Sequence, residues 1–215
     1  FGKYLVSVFE VGEHIKNILW DFDGVLMDSM DIRDQGFVEV LKDYPKKDVD
    51  ALMKFHRANG GLSRYVKFRY FFEEIQKESI TDQQVQEYAD AFSQVMLEKM
   101  MDRGLLIADA VEFVRRHHSK YRMHIVSGSD QKELRQICRN LEIATYFRSI
   151  HGSPTPKTQL VKQVLENNSY QPRETILIGD SINDYDAAVA NNIGFYGYNN
   201  HQLKEVSKQY IQKFG

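Results

Sequence analysis

Ile18-Leu19-Trp20-Asp21-Phe22-Asp23-Gly24 joins an apolar run to two carboxylates two residues apart and then to a glycine. The apolar run predicts a buried strand. Two acids at its end are costly, because like charges repel and burial disfavours ionisation, so the pair points to chemistry rather than packing. Gly24 fits a sharp turn where the strand ends, since glycine alone enters left-handed conformations without steric cost. Both acids would then stand at the strand's carboxyl end. In an open parallel sheet that is the edge where ligands bind.

Downstream, from Ala108, helical and strand signals alternate, the pattern of a parallel sheet flanked by helices. Helices are expected over Ala108 to Lys120, Asp130 to Leu141, Lys157 to Asn168 and Asp184 to Asn191, with a last one from about Gln202 to Lys213. Strands are expected at Met123 to Val126, Arg148 to His151, Thr175 to Ile178 and near Phe195; with the Ile18 strand they make about five. The fold class is therefore α/β, a Rossmann-like three-layer core with a mostly parallel sheet.

Between Ser29 and Arg103 the chain is rich in helix formers, with no convincing strand. Tyr65, Phe68, Phe72 and Ile75 recur at steps of three and four, as one buried helix face requires. A second long helix is expected over Thr81 to Met101, with Thr81 or Asp82 as N-cap. This stretch reads as a smaller all-helical domain, residues 29–103, inserted into a core of residues 1–28 and 104–215. In residues 1–14, Tyr4, Val6 and Val8 alternate as an edge strand would, and a packed arm fits equally well.

At 215 residues the chain can bury a substantial core. A net charge of -2, from 28 basic and 30 acidic residues, gives no bulk reason to expect nucleic acid or an anionic membrane as partner. Cys138 is the only cysteine, so a disulfide framework is excluded and a reducing, cytoplasmic setting is expected. No apolar run is long enough for a membrane span, and the first residues lack the order of a secretory signal.

Four places end a strand or open a helix with polar groups: Asp21 with Asp23, Ser127-Gly128-Ser129, Lys157, and Asp180 with Asp184. With parallel strands all four share one edge. A carboxylate such as Asp21 can attack phosphorus and split a slow hydrolysis into two faster steps. Asp23 is placed to protonate a leaving oxygen and then to activate water. The Ser127 hydroxyl and the Gly128 amide can donate to phosphoryl oxygens, and Lys157 can offset their charge. Asp180 and Asp184 can hold a hard cation through oxygen. Lys162 is an alternative to Lys157.

This set resembles the haloacid dehalogenase superfamily. Asp21-Phe22-Asp23-Gly24-Val25-Leu26 with Asp28-Ser29 is similar to the first family motif, Ser127 to the second, Lys157 to the third, and Gly179-Asp180-Ser181-Ile182-Asn183-Asp184 to the fourth. The resemblance covers nearly the whole chain apart from residues 1–14. It implies a phosphatase with a helical cap and Mg2+ as cofactor. It further implies that Asp21 and Asp180 bind magnesium through side chains, Asp23 through its backbone carbonyl, and Asp184 directly or through neighbours. Asp21, Asp23, Ser127 and Lys157 become the catalytic set. Ser127, Gly128 and Lys157 become the phosphoryl-binding set.

Arg57, Asn59, Arg64 and Lys67 cluster around Gly60-Gly61, where Arg57 and Arg64 are candidates to bind the rest of the substrate; a solvated helix surface is the plain alternative. The aromatic residues near Tyr65 read as core. The expected activity is hydrolysis of a small organic phosphate, with a phosphosugar mutase or a non-catalytic metabolite-binding regulator as alternatives. The family's dehalogenating members lack the acid at position 23, which favours a phosphate ester.

Overall fold

In the computed structural model, which describes residues 9–215, six parallel strands form one sheet. They are β1 (Asn17–Trp20), β2 (Arg122–Asp130), β3 (Ser149–Ser153), β4 (Thr175–Gly179), β5 (Gly194–Tyr198) and β6 (Tyr210–Ile211). Their spatial order is β3-β2-β1-β4-β5-β6, which puts β1 in the middle. Trp20 is level with Ile125 of β2 and Ile178 of β4. The residues following these three positions therefore emerge side by side, a register that gathers Asp21, Ser127 and Asp180 at one edge.

The helices are α1 (Met30–Val40), α2 (Lys46–Ala58), α3 (Arg64–Tyr70), α4 (Asp82–Lys99), α5 (Ala108–His117), α6 (Gln131–Asn140), α7 (Lys157–Asn167), α8 (Ile182–Ala190) and α9 (Leu203–Val206). Alternate strand residues face opposite layers. Ile18 and Trp20 join Phe113, Leu134 and Ile137 on one face of the sheet, while Leu19 and Leu177 join Val161, Val164 and Ala187 on the other. Both faces are covered, so the central strands β1 and β4 carry unbroken apolar runs, residues 18–20 and 176–178, as buried parallel strands do. Trp20 packs against Phe113 and Phe214, with ring centroids 5.9 and 5.5 Å away. Cys138 is buried in the same layer, where burial pushes its thiol up to about 12 and leaves it unreactive.

Helices α1 to α4 fill the stretch between β1 and α5, and no strand lies among residues 30–99. Thr81 caps α4 in a reciprocal capping box with Gln84. α3 runs into a π-helical turn over Phe71–Gln76 that shifts the phase of the buried face. Phe68, Phe71 and Phe72 are consequently the buried aromatics, while Tyr65 and Ile75 are only partly buried. The two passages between the sheet and these helices run side by side: Asp28 N donates to Leu105 O at 2.7 Å and Ile107 N to Leu26 O at 2.9 Å.

The carboxyl-terminal helix expected over Gln202 to Lys213 is a correction. α9 stops at Val206, after which Ser207 turns the chain and hydrogen-bonds Gln209. Gly197 N then donates to Gln209 O at 3.0 Å, and Tyr210–Ile211 pairs with β5 as a sixth strand. Ile211 and Phe214, three apart, suit a helix face as well as a strand end, and the open edge of β5 decides between them. The reading of Tyr4, Val6 and Val8 as an edge strand lies outside the described residues. Among the described residues, no helix is long and apolar enough to cross a membrane.

Candidate active site

Asp21 follows the last residue of β1 and is held there by its own backbone, with its N–H donating to Ile178 O at 2.9 Å. Its carboxylate lies 2.8 Å from Lys157 Nζ. Lys157 opens α7 and also pairs with Asp184 on α8. Lys162, the alternative, faces solvent beside Glu166. Asp184 is tied down by the turn it caps: its Oδ2 accepts from Asp180 N at 3.1 Å, Ser181 N at 3.0 Å and Ser181 Oγ at 2.7 Å. Asp180 is in turn fixed through its carbonyl, which accepts from Asn200 Nδ2 at 2.8 Å.

Asp21, Asp180 and Asp184 each bring a carboxylate oxygen within 4.8 Å of the others. Three acids stand there against Lys157. Burial and the nearby Asp184 push Asp21 up to about 7 despite Lys157, and burial with Asp21 raises Asp180 well above the carboxylate range. Oxygen donors forced together in this way suit a hard cation such as magnesium, which removes the repulsion. Asp184 has one oxygen engaged by three donors and the other by Lys157, so Asp21 and Asp180 are the better-placed side-chain donors. Gly24, with φ +77°, makes this approach feasible: a Cβ there would lie 2.0 Å from Asp180 Oδ2.

Asp23 is held differently. Arg33 of α1 reaches it through Nε at 3.0 Å and Nη2 at 3.3 Å, and the hydroxyls of Ser29 and Ser129 donate to its two oxygens. Burial alone would raise this acid, but Arg33 and the two serines outweigh it and hold Asp23 below the usual carboxylate range. Arg33 also binds Glu133 of α6 at 2.5 Å, and Glu133 binds Arg64 of α3 at 2.6 Å. Glu133 is buried and bridges two helices of the insertion to the sheet layer. Sequence reasoning missed Arg33 and Glu133. Their signal was a charge on an apolar helix face: Phe37 follows Arg33 by four residues, and Ile137 follows Glu133 by four.

Ser127 and Gly128 lie in β2 just beyond the level of Asp21. Ser127 Oγ accepts from Ser129 N at 3.1 Å. The Gly60-Gly61 loop closes over them: a Cβ on Gly128 would lie 2.2 Å from Gly61 O, and Asn183 Nδ2 donates to Gly60 O. Between loop and sheet edge lies a cavity of about 520 Å³ lined by Asp21, Asp23, Ser127, Gly128, Asp180 and residues of the helical insertion. Arg57 and Arg64 both line it. Arg57 is exposed and paired with Asp34 at 2.7 Å, whereas Arg64 is buried against Glu133 and Ser93. The volume suits a small metabolite.

The family described as haloacid dehalogenase-like hydrolase matches residues 18–198. No curated protein matches this sequence. Similar solved structures include a predicted phosphoglycolate phosphatase from Haemophilus somnus, 18% identical, with 94% of this chain and 95% of that chain covered and a TM-score of 0.74. A beta-phosphoglucomutase from Clostridium difficile is 14% identical over 93% of this chain and 92% of its own, with a TM-score of 0.73. The HAD-hydrolase YfnB from Bacillus subtilis, solved bound to magnesium, is 15% identical over 93% and 95%, with a TM-score of 0.68.

Proposed function

The chain belongs to the haloacid dehalogenase-like hydrolase family, and from that premise we propose that it hydrolyses a small phosphomonoester through a phosphorylated Asp21, with magnesium as cofactor. The observation that carries this reading is Asp23, a second acid at the same strand end, presented by its own set of donors. An ester oxygen leaves as an alcohol only if it gains a proton, and Asp23 is the acid in reach to provide it.

In the first step an oxygen of Asp21 bonds to phosphorus, the ester P–O bond breaks, and the leaving oxygen takes the proton of Asp23. In the second, Asp23 accepts a proton from water, the water oxygen bonds to phosphorus, and the bond to Asp21 breaks to release inorganic phosphate. Lys157 offsets the charge of Asp21 and of the phosphoryl group, and the Ser127 hydroxyl with the Gly128 amide donates to phosphoryl oxygens. Arg33 favours the ionised form of Asp23, so its grip must loosen for the acid step and suits the base step as found. Asp21 and Asp180 through their side chains and Asp23 through its carbonyl would hold magnesium, while Asp184 positions Lys157 and the Asp180-Ser181 turn. When bound, magnesium supplies charge neutralisation for the acids and the phosphoryl group together.

Asp21→Asn tests the reading with p-nitrophenyl phosphate and magnesium. A loss of at least about 1000-fold in kcat is expected; turnover like that of the unsubstituted protein refutes it. A phosphosugar mutase is the second reading, favoured by the close approach of Gly61 O to Gly128, since a mutase must keep water from the phosphoryl group. Phosphorus NMR with hexose 1-phosphates separates the two. Inorganic phosphate as sole product excludes the mutase.

A further inference from the structure

Lys67 of α3 lines the active-site cavity and is only 4% exposed. Every acid around it is already engaged. Asp23 is taken by Arg33, Ser29 and Ser129; Glu133 by Arg33 and Arg64; Asp34 by Arg57, with His56 beside it. Among the described residues none gives the Lys67 ammonium a hydrogen bond or an ion pair. The Phe37 ring lies beside it, with its centroid 6.0 Å from Nζ, the outer limit of a cation–π contact. The wall around Lys67 thus holds four cations, Arg33, Arg57, Arg64 and Lys67, against three carboxylates, Asp23, Asp34 and Glu133.

A buried cation with no partner is costly to keep, and it becomes favourable only when an anion fills the cavity. We propose that Lys67 binds a second anionic group, a carboxylate or a phosphate, on the phosphomonoester whose phosphoryl group is transferred to Asp21. The inference rests on the phosphomonoester reading of Asp21 and names the substrate class within it. Burial pushes the Lys67 ammonium down to about 7 even with Asp23 nearby, in keeping with a site built for a counter-charge that arrives with the ligand. The Phe37 and Phe92 side chains, also in the cavity wall, leave the middle of the ligand an apolar path.

The test is equilibrium binding to the Asp21→Asn protein with magnesium, using two ligand pairs whose members differ in one anionic group. Phosphoglycolate against 2-hydroxyethyl phosphate probes a carboxylate; fructose 1,6-bisphosphate against fructose 6-phosphate probes a second phosphate. At least one pair should show a preference of about tenfold or more for the anionic member. Adding Lys67→Met should reduce that preference to about twofold or less, and Lys67→Gln should do the same independently of how Met packs. Lys67→Arg, which restores the cation, should recover part of it. Removal of an unpaired buried charge should also raise the melting temperature of ligand-free Lys67→Met by about 2 to 4 °C. Absence of preference in both pairs, or a preference that survives Lys67→Met and Lys67→Gln, overturns the proposal. Failure of the unsubstituted protein to turn over p-nitrophenyl phosphate would instead refute the hydrolase reading, and the binding comparison would still decide the role of Lys67.

Discussion

The cavity has two poles, and they are built by different means. At the strand ends Asp21, Asp180 and Asp184 outnumber Lys157; the register of β1 and β4 places Asp21 and Asp180, and the first turns of α7 and α8 bring Lys157 and Asp184 to them. On the opposite wall Arg33, Arg64 and Lys67 come from two helices of the insertion and meet Glu133 from α6. The acidic pole is left with negative charge that a cation must neutralise. The basic pole balances Arg33 and Arg64 with Glu133 and Asp23 and leaves Lys67 over. The proposed function thus puts catalysis at the strand ends, where backbone pairing helps fix position, and the proposed second-anion site where helix packing must fix it.

The sharpest way to break this contrast is to remove the residue that closes the basic pole. Glu133→Ala strands Arg33 and Arg64 in a buried site and should cost about 3 to 5 kcal/mol in urea unfolding; a loss below about 1 kcal/mol would mean that the pole does not hold the insertion to the sheet. At the acidic pole the effect should fall on rate instead. Lys157→Met should lower kcat for p-nitrophenyl phosphate by about 100- to 1000-fold, and a loss under about tenfold would remove Lys157 from the phosphoryl site. Gly24→Ala is a smaller perturbation, since its side chain would press on Asp180 in a left-handed backbone position. It should cost about 1 to 2 kcal/mol and weaken magnesium binding measured by calorimetry, whereas unchanged affinity would separate Gly24 from the cation site.

The same contrast governs what could be read from the sequence. Asp21, Asp23, Ser127, Lys157, Asp180 and Asp184 announce themselves because each follows a strand signal or opens a helix, and parallel strands end together. Arg33 and Glu133, about 100 residues apart in the chain, carry only the weak mark of a charge on an apolar helix face. Their meeting depends on how α1 packs against α6, which no local pattern encodes. Lys67 appeared within a basic cluster, yet only the packed structure distinguishes it from Arg57 and Arg64, which have partners. The misread carboxyl terminus has a similar cause. Ile211 and Phe214 suit a helix until the open edge of β5 offers Tyr210–Ile211 a ladder.

The smallest expected effect separates the poles by the sign of their pH dependence. Asp21 rises from 3.8 to about 7 on folding, so the folded state holds its proton more tightly and its ionised form costs stability increasingly from about pH 4 to about pH 7. Asp23 and Glu133 shift downward, so their contribution is present above the ordinary carboxylate range and lost only as pH falls through it. Without magnesium, the melting temperature gained by Asp21→Asn over the unsubstituted protein should therefore be larger near pH 7.5 than near pH 5, by a few degrees. Saturating magnesium should shrink that gain. A gain that is equal at both pH values would contradict the uncompensated charge assigned to the acidic pole.

The central claim is that Asp21 accepts the phosphoryl group. It is tested most directly by mixing the protein with p-nitrophenyl phosphate and magnesium, quenching in denaturant, reducing with borohydride and mapping the product by mass spectrometry. An acyl phosphate on an aspartate is reduced to homoserine, and the account predicts homoserine at position 21 and at no other aspartate. Homoserine at another aspartate, or continued turnover with none formed at position 21, would contradict it.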